Sequence, residues 1–318
     1  MGLTRLQTDT IIGVVRRLNA VYRCFWESLN DMTIAACYLS SEGVVLGADS
    51  TSTMFIPGPG SQSGAHHHYD FAQKIFEIGE DSTAGVAMWG LGSIGEVSYR
   101  TIVADVADSA TLAGISDIES LARVFASLFW SRYCTEFDKV LPHVRDLASK
   151  AVRTTEEMDQ LQWYSGLLSG GFCFGGRWGS SRQPCAFELT FAPTMTEAPT
   201  PQPISSGSTR FWGCPNLISR VLYGIDDQLF SAILGSGKWK GDGKDLFGLV
   251  SESMLTQPRD LPLREAIDWV YASIYTTIKG MKFSHLAPVC GGPIEIAVIT
   301  SDRPFRWVRH KQLDAAIE

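Results

Sequence analysis

The sequence predicts a mixed α+β fold. Short apolar runs bounded by turn residues occur near both ends of the 318-residue chain, which is typical of β-strands. Between them lie segments whose apolar residues recur every three or four positions, as in amphipathic helices. The resulting order is strands, two helices, strands, two helices and strands, which indicates helices that cover stacked sheets.

The first two predicted strands are 33–39 and 43–49, joined by a turn at 40–43. The stretch 54–70 is rich in Pro, Gly and Ser and predicts a loop. The other predicted strands are 74–79, 84–90, 166–175, 184–191, 293–300 and 304–309.

Four helices are predicted from apolar stripes. The first covers 93–110, and the second begins near Ser116, because Ser116 and Glu119 have the spacing of a capping box. The third begins at Pro215 and extends to Ile233, and the fourth carries the clearest stripe, over 263–278. The segment 151–163 is polar and helical at best, the proline-rich segment 193–210 predicts a loop, and 245–255 predicts a short helix.

Bulk composition argues against several classes of partner. The net charge is −7, and basic patches with interleaved aromatic residues are lacking, so we expect no nucleic-acid partner. No apolar run reaches the roughly 18 residues of a membrane span, so we expect no membrane partner. The seven cysteines are scattered without a C-x-x-C pair, which favours free thiols and a cytoplasmic location.

Two motifs are weak signals for a metal or a cofactor. The consecutive histidines 66–68 lie in a Gly- and Pro-rich stretch without a spaced carboxylate or cysteine partner. The G-x-G-x-x-G pattern at 90–95 is not followed by a strand ending in an acidic residue at the dinucleotide-binding spacing. We therefore predict no metal and no cofactor.

The most informative pattern consists of a threonine, an acid and a lysine. Thr33 follows Met32, Asp49 lies sixteen residues later at the end of the second strand, and Lys74 begins the third. A threonine hydroxyl is a weak nucleophile without an adjacent base. In a chain beginning at Thr33, the α-amine could be that base, because it titrates near neutrality, unlike a lysine at about 10.4.

This pattern resembles the proteasome β-subunit family of N-terminal nucleophile hydrolases. In that family a mature N-terminal Thr begins the first strand, an acid stands at the same spacing and a Lys opens the third strand. The segment 85–95 resembles the family's fourth strand and glycine turn, and 290–300 its penultimate strand. The resemblance covers 33–110 and, more loosely, 165–310. It implies a four-layer αββα sandwich, with 33–318 as a single domain.

The resemblance also implies roles for individual residues. Thr33 Oγ would attack a peptide carbonyl while its amine transfers the proton. Lys74 would lower the pKa of that amine and stabilise the deprotonated hydroxyl, and Asp49 would hold and orient Lys74. The backbone N–H of Gly90 would donate to the oxyanion. A peptide or protein substrate and a homo-oligomer are implied as partners.

Some positions depart from the family pattern. The family generally has Ser before the late Gly-Gly and Asp three residues earlier, whereas this chain has Cys290 and Ala287. Cys290 is therefore a candidate for a supporting role, and Ser284 or His285 could substitute for the missing groups.

A further departure concerns the Gly-Ser-Gly segment before the third helix of the family. Its counterpart in this chain is either 206–208 or 212–214, and the sequence does not decide between them.

Residues 1–32 allow three interpretations: a propeptide, a targeting or retained segment, or a gene-model extension before a start at Met32. The self-processing relatives usually have Gly before the Thr, so Met32 favours the last interpretation. Two alternatives to a threonine peptidase also remain open at this point. The chain could be an inactive proteasome-like structural subunit that retains residues 1–32, or an amidase acting on a small amide.

Overall fold

The computed structural model describes residues 33–57, 64–177, 181–252, 254–255, 260–284 and 289–311. Within these residues the fold is α+β, as predicted, with antiparallel sheets and eight helices. The strands are β1 (Ile34–Leu39), β2 (Gly43–Ala48), β3 (Ser52–Pro57), β4 (Gly64–Tyr69), β5 (Ile75–Glu77), β6 (Ala84–Gly90), β7 (Gly170–Gly176), β8 (Cys185–Phe191), β9 (Gln202–Pro203), β10 (Ser208–Gly213), β11 (Glu295–Thr300) and β12 (Arg306–Arg309).

The helices lie in two groups along the chain. The first group is α1 (Tyr99–Leu112), α2 (Ile118–Glu136), α3 (Leu141–Ser149) and α4 (Thr155–Leu168). The second group is α5 (Asn216–Tyr223), α6 (Asp227–Gly235), α7 (Gly243–Ser251) and α8 (Leu263–Lys282). No helix in the described part of the chain is long and apolar enough to cross a membrane.

The strands form two five-stranded sheets and a separate hairpin. The first sheet has the order β10-β1-β2-β11-β12, and the second has the order β5-β6-β7-β8-β9. Strands β3 and β4 pair with each other as a two-stranded sheet. Because β1 and β2 are antiparallel neighbours, the start of β1 lies beside the end of β2.

In each five-stranded sheet, one face packs against the other sheet and the opposite face packs against helices. Cys37 of β1 and Leu46 of β2 pack with Ala87 of β6 and Cys173 of β7 in one buried cluster. These residues come from both sheets, so the sheets pack against each other through this cluster. Since successive strand side chains point to opposite faces, the intervening residues face outward towards helices.

Helices cover those outward faces. On the second sheet, Phe125 of α2 packs against Phe172 of β7 with ring centroids 4.5 Å apart. On the first sheet, α8 packs so closely that a Cβ at Gly47 would lie 2.4 Å from Val270 and 2.8 Å from Ile274. Glycine at position 47 therefore allows α8 to pack closely against β2, the strand that leads to Asp49.

The prediction of a loop over 54–70 is wrong for 54–57 and 64–69, because strands β3 and β4 pair from Ser52 with Tyr69 to Pro57 with Gly64. Residues 58–63 lie outside the described residues. Their pairing uses backbone groups, which Gly- and Ser-rich segments also possess. The loop predicted at 193–210 is likewise interrupted, since β10 begins at Ser208.

Several helix boundaries also differ from the predictions. Helix α1 begins at Tyr99 rather than 93, and α2 is capped by Asp117, whose side chain accepts from the Ser120 N–H, rather than by Ser116. The predicted helix from Pro215 to Ile233 is two helices. Gly224, at φ +75°, ends α5, and Asp226 caps α6.

Candidate active site

Thr33 and Asp49 lie together at one end of the first sheet. Thr33 is 3% exposed and directly precedes β1, and Asp49 is fully buried and directly follows β2. The Asp49 N–H donates to the Ile34 carbonyl at 3.1 Å, and the Ile34 N–H donates to Asp49 Oδ1 at 3.1 Å. The peptide group that follows Thr33 is thus bonded directly to the Asp49 side chain.

Four groups of the described residues donate hydrogen bonds to the Asp49 carboxylate. Oδ1 accepts from the Ile34 N–H and, at 2.6 Å, from Lys74 Nζ. Oδ2 accepts from the Thr51 N–H at 3.2 Å and from the Gly291 N–H at 2.9 Å. A buried carboxylate is stable only when it is paired and hydrogen-bonded, and this one satisfies both conditions.

Lys74 connects the two sheets at this point. Its side chain is 6% exposed and pairs with Asp49 at the end of β2. Its carbonyl accepts from the Met88 N–H at 2.9 Å, which fixes its backbone to β6 of the second sheet. Because Oδ1 of Asp49 binds both the Ile34 N–H and Lys74 Nζ, the ammonium lies beside the backbone that carries Thr33.

The segment 212–214 lies against Thr33 from the other side. The Cys214 N–H donates to the Thr33 carbonyl at 2.7 Å, and a Cβ at Gly213 would lie 1.8 Å from that oxygen. The alternative segment, 206–208, lies at the opposite end of β1, where the Gly207 N–H bonds to the Leu39 carbonyl at 2.8 Å. Of the two candidates left open by the sequence, the structure brings only 212–214 to Thr33.

Gly213→Ala is expected to destabilise the protein by at least about 2 kcal/mol, since the methyl group would add steric overlap to the strain of a positive φ. Gly213 has φ +80° and the Thr33 carbonyl in its way. Gly237→Ala is the matched control, because Gly237 has φ +67° but open space around its Cβ position. We expect the control to lose only about 1 kcal/mol. Urea unfolding of both variants measures the difference, and equal losses would contradict the proposed close contact at Thr33.

Gly90 ends β6 at φ +77°, where a Cβ would lie 2.6 Å from the Ser169 carbonyl oxygen. The close backbone approach therefore requires glycine at position 90. The residue before it, Trp89, stacks on Trp212 with centroids 4.5 Å apart, and Trp212 directly precedes Gly213. The stacked indoles thus bring together the end of β6, which carries Gly90, and the end of β10, which carries Gly213.

The Cys290 side chain does not face Asp49. Its thiol lies 3.3 Å from the Met281 sulfur, in the buried cluster beneath α8. The group that this segment supplies to Asp49 is the backbone N–H of Gly291. Ser284 is exposed, and its hydroxyl donates to the Met281 carbonyl at 3.1 Å. His285 and Ala287 lie outside the described residues.

The hairpin β3–β4 is attached at the rim of this site. Thr51, two residues after Asp49, donates from Oγ1 to Asp70 Oδ1 at 3.1 Å, which ties the start of the hairpin to its end. Gly292 lies against the same point, since its Cβ would be 2.4 Å from the Asp70 carbonyl oxygen. The sequence predictions missed both this hairpin and the role of Gly291.

Two residues of the histidine tract have neighbours unrelated to a metal. His68 Nδ1 lies 2.9 Å from Thr53 Oγ1, and the His67 ring packs edge-on against Tyr69 at 4.5 Å. The described residues contain no group of three or more His, Cys, Asp or Glu side chains that could hold a metal ion.

Comparison with solved structures identifies distant structural similarity. No protein-family model matches the chain, and no curated protein matches it. Among solved structures, the chain is similar to a Gly-1 mutant of Anbu from Hyphomicrobium sp. strain MC1, with 14% sequence identity and a TM-score of 0.44. The similarity covers 88% of this chain and 86% of that chain. It is too distant to carry an argument about this chain.

Proposed function

We propose that the chain is a proteasome-like threonine hydrolase that cleaves peptide bonds. The observation that carries the proposal is the buried Lys74–Asp49 pair, joined through Oδ1 to the amide that follows Thr33. A lysine in a buried position is costly without a partner, so its placement beside a candidate nucleophile favours a site over a chance ion pair.

The packing supports a four-layer αββα arrangement for this domain. One buried cluster draws residues from both sheets, and one further cluster lies between each sheet and its helices. This arrangement and the Thr33, Asp49 and Lys74 spacing are two independent points of agreement with the proteasome-like pattern.

In the proposed reaction, Thr33 Oγ attacks the substrate carbonyl while the Thr33 amine accepts the hydroxyl proton. The Lys74 ammonium stabilises the negative charge on the attacking oxygen, and Asp49 holds that ammonium in place. The Gly90 N–H donates to the oxyanion of the tetrahedral intermediate. The amine then protonates the leaving amine, and water releases the acyl group from Thr33.

The mechanism requires a free amine at Thr33, because the nitrogen of a Met32–Thr33 peptide bond is not a base. N-terminal sequencing of the protein purified from its natural source should therefore read Thr-Ile-Ala-Ala-Cys. The same preparation should hydrolyse members of a panel of short peptides. A sequence that begins at Met1, or at a retained Met32, would exclude this mechanism for the native protein.

A second candidate function is that of an inactive structural subunit with the same fold. It is favoured by the direction of the Cys290 thiol, which contacts Met281. Cys290 therefore does not supply the side-chain group that Ser supplies at this position in the proteasome-like pattern. This candidate predicts an uncleaved N-terminus and no hydrolysis. Small amides added to the peptide panel distinguish a peptidase from an amidase.

We also propose that the protein is a cytoplasmic homo-oligomer. Helix α6, whose residues the structure describes throughout, buries none of them. Several large apolar side chains of the segment 221–255, which includes α6 and α7, are exposed: Val221, Leu229, Leu234, Phe247, Leu249 and Leu255. Exposed apolar residues concentrated in one region are typical of interfaces.

Light scattering at micromolar concentration should therefore give a mass well above that of one chain. Phe247→Asp, at an exposed apolar position, should lower this mass, whereas Leu112→Asp, at an exposed apolar position outside the region, should not. A monomeric mass for the unmodified protein would contradict the proposal.

A further inference from the structure

A second buried ion pair lies next to the candidate active site. Glu295, the first residue of β11, is fully buried and pairs in register with Ala48, the residue before Asp49. Its Oε2 lies 3.0 Å from Lys311 Nζ and its Oε1 lies 2.7 Å from His310 Nδ1. The Lys311 side chain is 5% exposed, so this ammonium is withdrawn from solvent as completely as that of Lys74, whose side chain is 6% exposed.

The Lys311 ammonium has one further contact, to the segment that leads to Lys74. Nζ donates to the Ala72 carbonyl at 3.0 Å. The Ala72 N–H in turn donates to the Ser50 carbonyl at 2.9 Å, and Ser50 directly follows Asp49. Ala72 therefore connects the two ion pairs through its backbone, with Lys74 two residues further along the chain.

The segment between β4 and β5 is irregular, so β-sheet pairing alone does not determine the position of its backbone. Ala72 is fixed by Ser50 on one side and by Lys311 on the other. We expect a shift of this backbone to move the Lys74 ammonium relative to Thr33 and to strain the bond between the Lys74 carbonyl and the Met88 N–H. Displacements of about 1 Å at a reacting centre can cost about 100-fold in rate.

We propose that Lys311 is a positioning residue for Lys74. Held by Glu295, its ammonium fixes the carbonyl of Ala72 and thereby the backbone from which Lys74 reaches Asp49. Only the catalytic consequence of this arrangement rests on the proposed function. The structural link from Lys311 to the Lys74 segment can be tested without activity.

Four variants separate positioning from simple charge pairing. Lys311→Met removes the ammonium and keeps most of the side-chain volume, and Lys311→Arg keeps the charge. The double variant E295Q/K311M removes both charges, so no carboxylate is left buried without its lysine partner. Lys150→Met is the control for removing a paired ammonium outside the candidate site, because Lys150 pairs with Glu157 at 2.8 Å and its side chain is 36% exposed.

The first readout is amide hydrogen exchange, which needs no substrate. In Lys311→Met we expect the Ala72 N–H, and the Met88 N–H bonded to the Lys74 carbonyl, to exchange at least about tenfold faster. The Gly207 N–H, at the far end of β1, should be unchanged. The same two amides should remain fast in E295Q/K311M, although that variant regains thermal stability relative to Lys311→Met.

The second readout is hydrolysis by protein that begins at Thr33. Lys311→Met and E295Q/K311M should lower kcat by about 10- to 100-fold with little change in KM, because the nucleophile's surroundings shift while substrate binding does not. Lys311→Arg should recover much of kcat, and Lys150→Met should match the unmodified protein.

Unchanged exchange at Ala72 and Met88 in Lys311→Met would overturn the inference. Restoration of normal exchange in E295Q/K311M would also overturn it, by showing that Lys311 only neutralises Glu295. If the unmodified protein hydrolyses nothing, the proposed function fails, and the exchange measurements still decide whether Lys311 positions the Lys74 segment.

Discussion

Thr33→Ala is expected to reduce peptide hydrolysis by at least about 10⁴-fold, because a nucleophile and its base act as a unit and loss of the nucleophile removes the covalent pathway. The backbone contacts of residue 33 do not depend on its side chain. Its carbonyl still accepts from the Cys214 N–H, and the following amide still donates to Asp49. The variant should therefore fold, with a loss of about 1–2 kcal/mol for a truncated buried side chain.

Two control variants determine whether the lost activity belongs to the hydroxyl. Thr33→Ser keeps both hydroxyl and amine and should remain active. Thr277→Ala truncates another buried threonine, in α8, and should keep the activity of the unmodified protein. Rates are compared on one peptide after N-terminal sequencing of each preparation. A rate for Thr33→Ala equal to that of Thr277→Ala would remove Thr33 from the mechanism.

The spacing of Thr33, Asp49 and Lys74 allowed the candidate site to be predicted from the sequence. Two short apolar runs joined by a tight turn determine that the start of one strand lies beside the end of the next. The pairing of Asp49 with Lys74, by contrast, was implied by the resemblance to the proteasome β-subunit family, in which an acid and a lysine stand at these positions. These relations are local, with the ion pair spanning 25 residues.

Contacts between distant parts of the chain were not predictable in the same way. Gly291 donates to Asp49 across 242 residues, and Lys311 donates to Ala72 across 239 residues. Neither contact leaves a periodic pattern in the sequence. The Gly291 contact uses a backbone N–H, which every non-proline residue has, so no residue type marks it.

The sequence predictions for the hairpin and for the divided helix were wrong for different physical reasons. The composition of 54–70 indicates a loop, but β3 and β4 pair through backbone groups that composition does not report. The apolar stripe from Pro215 to Ile233 continues across a break in the helix. Gly224 and Asp226 are the signals that mark the break, as a left-handed end and an N-cap.

Asp49→Ala is expected to cause the largest loss of stability among substitutions at the candidate site. It removes the acceptor of four hydrogen bonds and leaves the Lys74 ammonium buried without its carboxylate. Removing one partner of a buried ion pair typically costs about 3–5 kcal/mol. Because the free energy of unfolding of a domain is typically about 5–15 kcal/mol, this loss would be a large fraction of the whole stability of the protein.

Lys74→Met should lose less stability than Asp49→Ala but should still lose most of its activity. The Asp49 carboxylate keeps three backbone donors, from Ile34, Thr51 and Gly291, so the loss of stability should be smaller, about 1–3 kcal/mol. The loss of activity should be at least about 100-fold, since the ammonium stabilises charge at the attacking oxygen. D49A/K74M leaves no stranded charge, so it should be more stable than Asp49→Ala alone, although it is inactive.

Urea unfolding and peptide hydrolysis, measured on the same preparations, test whether Asp49→Ala loses more stability than Lys74→Met and whether Lys74→Met loses activity. Arg123→Ala serves as the control, because Arg123 and Glu119 form an ion pair whose side chains are 54% and 44% exposed. Exposed pairs of this kind contribute about 0–1 kcal/mol, so the control should change neither quantity appreciably. If Asp49→Ala proved no less stable than Lys74→Met, the Asp49 carboxylate would not be the group that holds the site together. If Lys74→Met kept full activity, Lys74 would be a structural counter-ion and the proposed mechanism would lose its source of electrostatic stabilisation.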